Sequence, residues 1–248
     1  MTLLDTLKKP GSIRIEFQPM LTFNGNGARL YALEALARGP VGSSVERPDV
    51  LFEYARRKGA ESHLDVLCIA EAIARASALP GTPTISMNVH GSTLSDDPGF
   101  AKRFLAAADA FEISRERLML EIVEHRACWD MKAFHAALGT LRDAGVRIAV
   151  DDLGVGASNF RMVVDCRPDH LKIDRYIVAG CGRDTVRASV IGSIAHLARS
   201  IGASAIAEGI EDEIDLDLVT SLGVHIVQGW LFAPAMPAHE LIRTPYLQ

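Results

Sequence analysis

Residues 14–38 read RIEFQPMLTFNGNGARLYALEALAR, and the folding of this stretch decides the architecture of the chain. Two apolar runs, 14–21 and 30–38, have strand composition. The segment between them, 22–29, is short and polar and contains Asn24-Gly25-Asn26-Gly27. Asn-Gly pairs reach the positive φ values of tight hairpins at little steric cost, so the two runs are expected to pair antiparallel.

Beyond this hairpin the rhythm changes. Short aliphatic runs at 84–89, 118–123, 147–153, 170–173, 204–207 and 225–232 alternate with helix-patterned segments, among them 49–58, 61–78, 131–144, 185–200 and 213–222. Such alternation is the mark of βα units around a parallel sheet. Ala144-Gly145, Ile201-Gly202 and Leu222-Gly223 read as helix stops followed by a return to strand. Eight strands predict an α/β fold, a modified TIM (β/α)8 barrel with an antiparallel first strand pair. The length of 248 residues suits one such barrel, which takes about 250. No linker or repeat divides the chain, so residues 1–248 are expected to be a single domain.

A net charge of −5 argues against a nucleic-acid polymer as partner, because coating a polyphosphate needs surplus Lys and Arg. A small phosphate ligand is not excluded, since metal ions can meet its charge locally. Cys68, Cys128, Cys166 and Cys181 form no CxxC pair, so buried reduced thiols are expected rather than a zinc site or disulfide framework. Residues 1–10 have no apolar stretch long enough to suggest a signal peptide, and no run of about 18 apolar residues occurs. The expectation is a cytoplasmic protein with no membrane contact.

Barrels of this type place reactive side chains where strands end, on the C-terminal face. At or near those ends stand Glu34, Asn88, Glu121, Asp151, Asp152, Lys172, Glu208 and Gln228. Each has a plain structural reading: Glu34 as a salt-bridge partner of Arg38, Asn88 as a turn cap, Asp151-Asp152 as turn residues, Glu208 and Glu211 as an acidic first helical turn. Their joint placement on successive strand ends is harder to explain that way. Carboxylates in apolar runs are costly unless paired or bound to a cation. Oxygen ligands without His or Cys suit Mg2+ or Mn2+ better than zinc. Adjacent Asp151 and Asp152 can serve two ions if the strand ends there, a pattern suited to in-line displacement at phosphorus. Lys172 could polarise the attacking water or neutralise developing phosphate charge.

The same residues carry a family resemblance. Glu34-Ala35-Leu36 with Arg38 resembles the E-A-L-x-R signature from which the EAL domains take their name. Phe17-Gln18-Pro19, Met87-Asn88-Val89, Leu120-Glu121-Ile122-Val123-Glu124, Asp151-Asp152-Leu153-Gly154-Val155-Gly156, Lys172-Ile173-Asp174, Ala207-Glu208-Gly209-Ile210-Glu211 and Gln228-Gly229-Trp230 resemble further family motifs in the family's order. The resemblance covers nearly the whole chain. It implies an enzyme, a cyclic diguanylate (c-di-GMP) phosphodiesterase, that hydrolyses this bacterial second messenger to linear pGpG with two Mg2+ or Mn2+ ions.

By motif position, Glu34, Asn88, Glu121 and Asp151 would hold one ion, and Asp151, Asp152 and Glu208 the second. Lys172 would contact the nucleophilic water, with Glu211 and Gln228 supporting it and the metal-water network. Gln18, Leu36, Arg38 and Asp174 would meet the substrate, and Glu124 would brace the loop after Asp152. Homodimerisation is a further expectation of the resemblance, and so is regulation by a separate protein, unless the chain is an excised or stand-alone domain. The loop 151–159 departs from the family's D-D-F-G-T-G-Y-S-S, with Leu153, Val155 and Ala157 in place of Phe, Thr and Tyr, and Val123 replaces a usual Thr. These changes spare every ligand position. They keep one alternative open, a weak or inactive EAL domain acting as a c-di-GMP receptor or protein-interaction module.

Overall fold

The computed structural model describes residues 5, 7, 9, 11–23, 27–123, 130–155 and 159–247. Asn24, Gly25 and Asn26 of the expected turn, Glu124, Cys128 and Ala157 lie outside the described residues.

Eight strands close into a barrel in sequence order: β1 (Arg14–Phe23), β2 (Ala28–Arg38), β3 (Thr84–His90), β4 (Leu118–Val123), β5 (Arg147–Leu153), β6 (His170–Ile173), β7 (Ser204–Ala207) and β8 (Ile226–Gln228). As expected, β1 and β2 pair antiparallel, and β1 is also antiparallel to β8, while neighbours from β2 to β8 run parallel. Connecting helices include α1 (Pro48–Arg57), α2 (Glu61–Ala76), α3 (Gly91–Asp96), α4 (Phe100–Ala110) and α5 (Met131–Asp143). They continue with α6 (Asn159–Cys166), α7 (Arg175–Val178), α8 (Thr185–Ser200), α9 (Glu213–Ser221) and α10 (Ala238–Leu241). The three anticipated stops hold, with Gly145, Gly202 and Gly223 all at positive φ. Among the described residues, no helix is long and apolar enough to cross a membrane. Cys68, Cys166 and Cys181 are buried.

One expectation fails in extent. The last strand ends at Gln228 rather than continuing to Phe232. Gly229 passes so close to the loop after β7 that a Cβ there would lie 2.0 Å from the Ile210 carbonyl oxygen. Leu231 N then donates to that same oxygen at 3.0 Å. The chain turns because its backbone is captured by a loop, not because its side chains lose strand character.

Alternation along the strands sorts side chains into two apolar layers. Leu33, Ile85, Leu120, Ile148, Leu171 and Val227 face outward and join the core beneath the helices. Met20, Ala32, Met119, Ala149, Ile206 and Ile226 face inward and plug the barrel. Two residues further along the same inward rows stand Glu34, Glu121, Asp151, Glu208 and Gln228, joined by Lys172, two residues beyond His170 on β6. The plug bars water from below, which raises the cost of any unpaired charge above it.

Below the plug is a second polar cluster. Bulged out of the β1–β2 register, Tyr31 has its hydroxyl hydrogen-bonded to His170 Nε2 and accepts from Arg147 Nη1 at 3.3 Å. His170 is 4% exposed and its Nδ1 lacks a hydrogen-bond partner among the described residues. Burial, reinforced by Arg147 and opposed by Asp169, lowers its pKa to about 4. The unfolded chain therefore binds a proton near pH 6.5 that the folded chain refuses until about 4. This depressed base contributes full stability above pH 6.5, and loses it as pH falls towards 4, by about 3 kcal/mol. Denaturation of wild type and His170→Gln at pH 7 and pH 4 should show that extra loss only in wild type. Equal losses would contradict the assignment.

Candidate metal centre at the barrel mouth

Period-two geometry brings the strand-end residues to one place. Lys172 on β6 is 1% exposed and sits at the centre. Its Nζ lies 2.5 Å from Glu121 Oε2, 2.5 Å from Glu208 Oε1, 3.2 Å from Asp151 Oδ1 and 3.6 Å from Glu34 Oε2. Glu34 is held at both oxygens by amides: Asn88 Nδ2 donates at 2.9 Å and Gln228 Nε2 at 2.8 Å. Gln228 also donates to Gln18 Oε1 at 3.0 Å, and Gln18 in turn donates to the Ala233 carbonyl. Ser86, two residues before Asn88 on the same inward row, donates to Glu121. Sequence reasoning passed over Ser86, although the row itself points to it.

Asp151 and Asp152 both join the cluster, and the backbone explains how. Neighbouring strand residues normally face opposite sides. Here the register between β5 and β6 slips between Val150 and Leu153, a bulge. Asp152 takes φ 53°, the left-handed region that Asp tolerates better than most residues. The strand does not end at the pair; it bulges and re-aims the second carboxylate. Single oxygens of Asp151, Asp152 and Glu208 can be chosen within 4.8 Å of one another.

The plain readings of these residues do not match their contacts. Arg38 pairs with Glu16 at 2.9 Å, not with Glu34. Asn88 bonds a side chain on the adjacent strand rather than capping a turn. Glu208 and Glu211 precede α9, whose cap is Asp212.

Electrostatics shows what the site lacks. Among the described residues, Glu34, Glu121, Asp151, Asp152 and Glu208 face one ammonium, that of Lys172. Burial would lower the Lys172 pKa, but Asp151, Glu121, Glu208 and Glu34 together hold it well above the ordinary value. Burial pushes Glu121 up, with Glu34 and Asp151 adding and Lys172 opposing. Glu208 is raised by burial despite Lys172, with its acidic neighbours adding. Asp152 rises to about 7, from burial first and then Asp151 and Asp174. Glu34 moves the other way: Lys172, Gln228 and Asn88 outweigh its burial. Buried Asn88 Oδ1, Asp151 Oδ1 and Gln228 Oε1 accept no hydrogen bond among the described residues, the Asp151–Lys172 contact being an ion pair outside hydrogen-bond geometry. Surplus negative charge, buried oxygens that accept no hydrogen bond among the described residues, and all-oxygen donors fit a hard divalent cation.

The mouth opens into a cavity of about 370 Å3, lined by Gln18, Leu36, Asn88 and Glu208 and, at its rim, Arg175, Glu211 and Trp230. Glu211 pairs with Arg175 at 2.5 Å. Asp174 caps α7, accepting from Tyr176 N at 2.6 Å, and Arg38 and Asp174 are not among the cavity's lining residues. A larger cavity of about 580 Å3 lies beside it, between β2–β3 and α1–α2. Its walls are mostly apolar, and its buried acid, Asp65, is already bonded to His90 and Thr93. Those bonds fasten the end of β3, and with it Asn88, to α2. Size favours the larger cavity; converging charge marks the smaller as the reactive one.

Comparison with known proteins places the chain in a family. A curated relative, cyclic di-GMP phosphodiesterase PdeL of Escherichia coli K12, is 30% identical over 58% of this chain and 40% of its own. Probable cyclic di-GMP phosphodiesterase PdeA of the same organism is 26% identical over 95% of this chain and 32% of its own. This chain thus spans two fifths or less of either relative. The structure of Klebsiella pneumoniae BlrP1 as a calcium/cy-diGMP complex superposes with a TM-score of 0.80 at 25% identity, covering 92% of this chain and 57% of that one. The EAL domain family model matches residues 2–235, a span that contains every group around Lys172, and the chain belongs to that family.

Proposed function

We propose that the barrel mouth binds two Mg2+ or Mn2+ ions and hydrolyses c-di-GMP to linear pGpG, and that residues 1–248 act as one EAL domain. The observation that carries this reading is the convergence of four carboxylates on one lysine, with Asp152 beside them and three buried oxygens that accept no hydrogen bond among the described residues. Glu34, Asn88, Glu121 and Asp151 would hold one ion, and Asp151, Asp152 and Glu208 the other. Bound cations would supply charge neutralisation and Lewis acidity at the phosphodiester. Asn88 and Gln228 fix the Glu34 carboxylate at both oxygens, so its orientation is set before any ligand arrives. Lys172, kept protonated by its four acidic neighbours, donates to the water that attacks phosphorus. That water's oxygen would join phosphorus as the bond to the ribose 3′-oxygen breaks; the water gives up a proton to solvent and the leaving 3′-oxygen takes one up, leaving a 5′-phosphate and a 3′-hydroxyl on the product.

Gln18 and Leu36, on the cavity wall, would contact the substrate. Arg38 and Asp174 would do so only from beyond that wall, and Glu211 would act through Arg175. Glu124 would brace the loop that follows Asp152. A cytoplasmic setting, a homodimer and control by a separate protein complete the proposal.

The replaced loop residues Leu153, Val155 and Ala157 favour a second reading, a receptor that binds without turnover. Retention of every proposed ligand weighs against it. Incubation with c-di-GMP and Mn2+ in 18O-water separates the two. The proposal requires pGpG carrying one 18O on its terminal phosphate. Unlabelled product, or tight binding with no product, overturns it.

A further inference from the structure

Trp230 is the large aromatic side chain that the chemistry above leaves without a task. It lines the same cavity as Glu208 and Gln228, yet 65% of its surface is exposed. Burying a tryptophan is strongly favourable, so a rigidly held exposed one beside a reactive cavity calls for an explanation.

Its backbone is fixed on both sides. Ile210 N donates to Gln228 O at 3.0 Å, and Leu231 N donates to Ile210 O at 3.0 Å. Gly229 permits this approach, since any Cβ there would strike Ile210. The indole is fixed too: the Arg175 guanidinium lies over the ring, 5.1 Å from its centroid. The stem of Arg175 fits only because residue 209 is glycine. Gly209 takes φ +71°, and a Cβ there would come within 2.3 Å of Arg175 Cγ. Glu211 holds the guanidinium from the side at 2.5 Å.

The charge balance says what this surface suits. With Arg175 committed to Glu211, the rim offers a flat, nearly neutral π surface instead of a cationic clamp. A phosphate gains little there, whereas a planar heterocycle gains stacking area on a surface already ordered. We propose that Trp230, backed by Arg175, is a stacking shelf for one purine base of the dinucleotide, and thereby a determinant of substrate specificity; this rests on the phosphodiesterase reading of the site.

Steady-state kinetics on c-di-GMP and intrinsic fluorescence test it together. Trp230→Leu should raise KM by about 10- to 100-fold with a smaller change in kcat, the loss of one base stack, while Trp230→Phe should stay within about threefold of wild type. Because Trp129 and Trp230 are the two tryptophans, any c-di-GMP-induced quench that disappears in Trp230→Phe belongs to Trp230. Turnover in wild type with KM unaltered in Trp230→Leu would overturn the shelf and leave the enzyme reading intact. Quenching of Trp230 without turnover in wild type would support the shelf and overturn the enzyme reading. Neither quench nor turnover would overturn both.

Discussion

Asp151→Asn is expected to lower kcat on c-di-GMP by roughly three orders of magnitude, because it removes the carboxylate proposed to be shared between the two ions. The substitution preserves shape and position on the β5 bulge, so loss of activity reports charge and coordination rather than misfolding. Stability should respond in the opposite sense. In metal-free protein, Asp151 adds to the repulsion felt by Glu121, Asp152 and Glu208. Removing its charge should leave thermal stability in EDTA equal to wild type or higher, a trade often seen where function strains a site. Glu34→Ala should abolish turnover as well, by deleting a ligand and releasing Asn88 and Gln228. Near-normal kcat in both variants would refute the site assignment.

Lys172→Ala should have the largest effect on the metal-free fold. The ammonium is buried and lies within 3.6 Å of four carboxylates. Truncating one partner of a buried ionic cluster costs about 3–5 kcal/mol, because the remaining charges are left uncompensated. Denaturation in EDTA should show a loss of that order, and Mn2+ should restore more stability to the variant than it adds to wild type. With Mn2+ present, kcat should fall by about 100- to 1000-fold while KM changes far less, the signature of a group that acts on the attacking water. A variant defective only in binding would contradict that role.

What the sequence made legible follows from parity. Glu34, Asn88, Glu121, Asp151, Lys172 and Gln228 lie on inward rows, each two residues from an apolar or polar inward neighbour, so strand boundaries alone assembled most of the cluster. The hairpin that opens the barrel was equally readable from Asn24-Gly25-Asn26-Gly27, through chemistry rather than pattern. Other features depend on contacts that no local pattern encodes. Asp152 reaches the site through a bulge, and Gln228 ends its strand because a distant loop captures Gly229. Arg175 reaches Trp230 because Gly209 has no side chain. The floor cluster of Tyr31, Arg147 and His170 arises from a register slip in β2. Helix Phe100–Ala110 was not among those named, although its buried residues Phe100, Ala101, Phe104 and Ala108 keep helical spacing.

The central claim is that this acidic barrel mouth is a metal-dependent catalyst and not merely a binding site. Its most direct test is turnover of c-di-GMP by the purified chain over a range of protein concentrations, with Mn2+, after EDTA, and after Mn2+ is restored. Linear pGpG is expected with Mn2+, with its disappearance in EDTA and its return with the metal; a rise in specific activity with protein concentration would in addition support the homodimer. Tight binding of c-di-GMP with no linear product at any concentration would contradict the central claim.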